Sequence, residues 1–75
     1  MSFELEQIVS KALDAKRGGF DVLSKGEKLA VALVLNRADW LASMHYTMAE
    51  AIERVGPTWV ELIPEAARRV AESDG

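Results

Sequence analysis

Cysteine is absent from these 75 residues, which excludes a disulfide framework and a thiolate metal site and fits a reducing cytoplasm. Histidine occurs once, as His45, and a single imidazole without placed partners serves neither a metal ion nor general-base catalysis. No long apolar run is present. The longest, Leu29 to Leu35, falls far short of the roughly 20 residues that cross a bilayer. Glu4 and Glu6 occupy the region where a secretory signal would be basic, so the expectation is an unprocessed cytoplasmic protein. The net charge of −3 is mild and offers no strong field for nucleic acid or an anionic membrane.

What is present is helix. A hydrophobic fraction of 49% with 28% charged residues suits a folded globule. At this length one domain spanning residues 1–75 is expected, near the size below which a lone core is marginal and self-association becomes an option. Three pairs have the spacing of a capping box, in which a hydroxyl accepts from the third helical amide and a glutamate reaches back to the cap amide. They are Ser24 with Glu27, Thr47 with Glu50 and Thr58 with Glu61, and each predicts a helix start.

Leu5, Ile8, Val9, Ala12 and Leu13 share one face of a first helix over 3–17, with Ser2 as its cap. Gly18 and Gly19 stop it; without the rest of a phosphate-loop pattern the pair reads as a terminator. Phe20, Val22 and Leu23 form an apolar connector expected to fold over the core. The next helix, over 25–36, is apolar on every side through Leu29–Leu35, as befits a helix surrounded by others. Trp40, Leu41 and Met44 return at helical spacing over 38–44, either as a new helix or as a continuation. A helix over 48–55 is expected to bury Met48, Ala51, Ile52 and Val55 before Gly56 ends it.

The last helix, over 59–72, places Trp59, Leu62, Ile63, Ala66, Ala67 and Val70 on one stripe that passes through Pro64. The unbroken stripe predicts a kink at Pro64, and residues 73–75 read as a frayed tail. The expected fold is therefore all-α: a compact bundle of four to five short helices around a central apolar one.

Chemistry finds little footing. Serines occur, but no Ser, His and acid arrangement has recognisable spacing. Glu50 with Glu53 and Glu61 with Glu65 share helix faces as solvated or capping groups. The expectation is a non-enzyme without cofactor, metal site or small-molecule substrate. Residues 1–45 hold six basic and six acidic side chains, and residues 46–75 three basic and six acidic, so the net negative charge belongs to the second part. There Trp59, Val60, Glu61 and Pro64 form the candidate partner-binding patch, with tryptophan supplying buried area and glutamate orientation. Trp59 and Val60 are adjacent and cannot easily both face inward, so whether Trp59 is core or interface stays open. Trp40, Met44 and Met48 read as core.

From Leu41 to Ile63 the chain reads LASMHYTMAEAIERVGPTWVELI and resembles the helix-turn-helix pattern of many small bacterial DNA-binding proteins. Tyr46 and Thr47 match the aromatic and cap that open the first helix. Gly56 matches the turn glycine, Thr58 the cap of the recognition helix, and Leu62 its locking apolar residue. The resemblance implies a trihelical unit and duplex binding assisted by Arg54, Arg68 or Arg69. Ile52 stands where the family commonly has a small residue, and the reading helix would present Trp59, Val60, Glu61, Pro64 and Glu65. Acidic and apolar side chains suit a protein surface better than phosphate. The favoured function is thus a small accessory or regulatory protein acting by protein–protein interaction or self-association, with DNA binding as the alternative and no membrane partner.

Overall fold

The structure, a computed structural model, describes residues 3–74, with side chains to 73. Ser2 and Gly75 lie outside the described residues. Six α-helices and no strand occur among them: α1 (Phe3–Asp14), α2 (Lys25–Val34), α3 (Ala38–Ser43), α4 (Met48–Val55), α5 (Pro57–Val60) and α6 (Ile63–Asp74). The all-α expectation holds, with one helix more than the upper count. Residues 73 and 74, expected in the tail, continue α6.

Leu5, Ile8 and Ala12 bury the inner face of α1. Regular α-geometry ends at Asp14, and Ala15–Gly19 form a wider, π-type turn in which Gly18 takes φ 99°, a left-handed value that glycine adopts without strain. A 3₁₀ turn over Phe20–Val22 follows. Leu23 is buried and Phe20 packs against the core, whereas Val22 is 86% exposed. The connector folds over the core through two of its three apolar residues.

Ser24 caps α2 through both bonds of the box: its hydroxyl accepts from the Glu27 amide at 3.3 Å, and its amide donates to Glu27 Oε1 at 2.9 Å. Leu29, Ala30, Val31, Ala32 and Val34 are buried because α2 packs against α1, α3, α4 and α6. It is the central helix. Asn36 turns left-handed at φ 56°, so α2 and α3 are separate helices. His45, at φ 64°, makes the next reversal, and Thr47 and Glu50 complete a second capping box at the start of α4.

Several expectations fail in the second half. Met48 and Ile52 are not core; they remain 47% and 45% exposed, while Ala51 is buried and Val55 half-buried. At 100° per residue the 48/52 line is rotated by roughly 60° from the 51/55 line. The helices against α4 cover only the latter.

The third capping box does not form. Gly56, at φ 91° and ψ 159°, is the residue before α5, and Pro57 occupies its first position. Proline is favoured there because its fixed φ suits the helix and its missing amide hydrogen is not needed. Thr58 thereby falls inside the first turn and cannot cap it. Nor is there a kinked last helix: α5 ends at Val60, and α6 begins at Ile63. The Pro64 ring would crowd the carbonyl one turn earlier, that of Val60. The chain instead tightens, with the Leu62 amide donating to the Trp59 carbonyl at 3.0 Å, and Pro64 lies in the first turn of α6. The apolar stripe survives the break. Ala66 and Val70 are buried, and Trp59, Leu62, Ile63 and Ala67 pack on the same cluster.

The core has two parts. The larger joins α1, the connector, α2 and α6; the smaller joins Leu29 and Ala32 to Leu41 and Ala51. Trp40 packs on both. Among the described residues every fully buried side chain is apolar.

Candidate functional site

The four residues of the candidate patch fall within α5, the following turn and the start of α6. Glu61 and Pro64 are exposed. Trp59 and Val60 are both half-buried, and Trp59 packs on the larger core cluster. Neither neighbour is wholly outward, because a four-residue helix lying on the bundle lets both share the boundary. Trp59 therefore supplies core contact along one side and leaves only part of its surface to solvent.

Met48 and Ile52 supply larger accessible apolar groups, which sequence reasoning assigned to the core. The signal was present: Met48, Ala51, Ile52 and Val55 span an arc of roughly 100° on an eight-residue helix. The helices packed against α4 cover only part of such an arc. One residue, Gly56, separates α4 from α5, so the exposed edge of α4 leads directly into the segment that carries Trp59 and Val60.

The arginines named by the helix-turn-helix resemblance are distributed unevenly. Arg54 is exposed near the end of α4. Arg68 and Arg69 both donate to Glu65, Arg69 at 3.2 Å. The Arg68 hydrogen bond, followed by that of Arg69, holds the Glu65 carboxyl below its ordinary value. The segment corresponding to a recognition helix is divided between the four residues of α5 and the separate α6.

Among the described residues two concavities stand out. One lies between α1 and α6, with a volume of about 690 Å³; Val9 and Leu13 are the apolar side chains of its lining, and most of the others are charged. A smaller one, of about 380 Å³, lies beside Gly18 and includes Arg37 and Trp40. Arg37 is held there by both carboxylate oxygens of Asp39, at 3.0 and 2.7 Å, with its guanidinium 4.2 Å from the centre of the Trp40 ring. The pair lowers the Asp39 pKa through the Arg37 hydrogen bond.

Among the described residues no three His, Asp or Glu side chains converge as a metal site. His45 is exposed on its turn, Glu50 is engaged in its capping box, and Glu53 and Glu61 are exposed. No helix among the described residues is long and apolar enough to cross a membrane. Compared with known proteins, the chain matches no family model, no curated protein and no solved structure.

Proposed function

We propose that this chain is a small cytoplasmic accessory or regulatory protein, without catalysis or cofactor, that acts by binding another protein through the surface of α4 and α5. The observation that carries the reading is the exposure of Met48 and Ile52, at 47% and 45%, on a helix whose adjacent line is committed to the core. Full burial of such a side chain is worth about 1.5–3 kcal/mol, so a partner covering both gains a useful part of that. Methionine adapts its shape to the covering surface. Val60 and the exposed part of Trp59 extend the apolar contact, and Glu61 supplies a charge that orients the partner.

The test is affinity capture from a cell lysate with the wild-type chain, a Met48→Ser/Ile52→Ser variant and a Val60→Ala/Glu61→Ala variant, each with and without nuclease. Folding is checked by circular dichroism. A defined protein that survives nuclease and is lost with the folded variants supports the reading. Capture that disappears with nuclease, together with duplex affinity that falls steeply with salt and requires Arg54, favours the DNA-binding alternative. Sedimentation equilibrium separates out self-association, which would make stability depend on concentration.

A further inference from the structure

The groove between α1 and α6 is bordered by Glu6 and Asp14 from α1 and by Glu65 and Glu72 from α6, against Arg17 and Arg69. Arg69 already pairs with Glu65. The lining holds four carboxylates against two guanidiniums, and Glu72 also lies in the field of Arg68, so the balance of charge on the rim is acidic. The half-buried Val9 and Leu13 lie one turn apart between Glu6 and Asp14. Along both helices, from Glu6 to Asp14 and from Glu65 to Ser73, the lining extends about 12 Å at 1.5 Å per residue. That length matches about two turns of a third helix.

We propose that this groove receives a basic amphipathic helical segment of a partner protein. Its apolar side chains would cover Val9 and Leu13, its lysines or arginines would face Glu6, Asp14 and Glu72, and an acidic residue beside Arg17 would set the register. Charge selects this occupant. A second copy docked groove to groove would bring the same acidic rim against itself, and a neutral apolar helix would leave the acidic excess of the rim uncompensated. The inference rests on reading the chain as an interaction protein, but it uses a surface separate from Met48 and Ile52.

The probe is a synthetic peptide of about eleven residues with leucines on one helical face and lysines on the other. Its binding to the purified chain is followed by fluorescence anisotropy and by NMR shifts. The expected result is saturable binding with the largest shifts at Val9 and Leu13. Glu6→Gln/Glu72→Gln should weaken it by about fivefold or more, whereas Asp21→Asn/Glu53→Gln, with the same change in net charge, should leave it within about twofold. Equal weakening by both pairs would mean diffuse attraction to an acidic protein and would overturn the proposal, as would shifts centred elsewhere or no binding. The wild-type shift map decides the question even if the Glu6 variant is unstable. Because the assay uses purified components, its failure leaves the α4–α5 capture result untouched. Retained peptide binding by Met48→Ser/Ile52→Ser would show that the two surfaces act separately.

Discussion

The ring of Phe20 lies 4.2 Å from that of Trp40, centroid to centroid, with the planes tilted by 31°. This contact ties the connector after α1 to α3, and Trp40 also packs on both parts of the core. Such a pair adds about 0.5–1.5 kcal/mol beyond the area it buries. Trp40→Ala should therefore destabilise the chain by about 3 kcal/mol in urea unfolding. A double-mutant cycle with Phe20→Leu should return a coupling of about 1 kcal/mol. Additive losses would show that the rings are neighbours without being partners.

The capping residues should separate cleanly. Ser24→Ala and Thr47→Ala each remove a side-chain acceptor from a formed capping box and should each cost about 1 kcal/mol. Thr58→Ala, in a helix that begins without a side-chain cap, should stay within about 0.5 kcal/mol. Thermal unfolding of the three variants measures the contrast.

Two glycines should respond with opposite signs. Gly56 holds φ 91° and ψ 159°, a region essentially reserved for glycine, so Gly56→Ala should cost about 1–3 kcal/mol. Gly26 lies in the first turn of α2, and an added Cβ there meets nothing within 4 Å. Gly26→Ala should stabilise the fold by about 0.5 kcal/mol, because alanine loses less backbone entropy on folding. Paired denaturation curves give both signs.

Acid should weaken the fold partly through Glu65. Its carboxyl is held below the ordinary 4.5 by Arg68 and Arg69. A carboxylate depressed in the folded state contributes stability above its unfolded pKa and loses that contribution as pH falls through the folded value. Wild type should therefore lose more stability than Glu65→Gln between about pH 5 and pH 2. Added salt should narrow the difference, since these groups are solvated. Parallel pH curves for the two proteins would remove Glu65 from the account.

Pro64 accounts for the division between the last two helices. In Pro64→Ala the regained amide hydrogen and the relieved crowding at the Val60 carbonyl should let α5 and α6 join. Helical circular dichroism should then rise. An unchanged spectrum would assign the break to the packing of Trp59 and Leu62 instead.

Much of the fold was legible because its signals are local. The boxes at Ser24 and Thr47 lie within one turn of chain, the Gly18 stop needs only its own φ, and the Leu29–Leu35 run announces a helix enclosed on all sides. Thr58 misled for the same reason: its spacing to Glu61 is correct, yet Pro57 fixes the helix start one residue earlier. The stripe through Val70 correctly gave the buried face, but periodicity records direction and not continuity, so it could not distinguish a kink from a break at Pro64. The candidate patch was readable only as a segment. Whether Trp59 and Val60 faced in or out depended on where α5 lay on the bundle.

The sequence by itself determined the helical class, the central position of α2, two of the caps and the mild charge, because backbone propensity, capping and apolar periodicity act over a few residues. Only the tertiary structure decided that α4 would bury Ala51 and Val55 while leaving Met48 and Ile52 accessible, and that α1 and α6 would bring Glu6 and Glu72 to one groove. Burial depends on which neighbour arrives and over how wide an arc. That is a property of the packed chain, and no short window of residues encodes it.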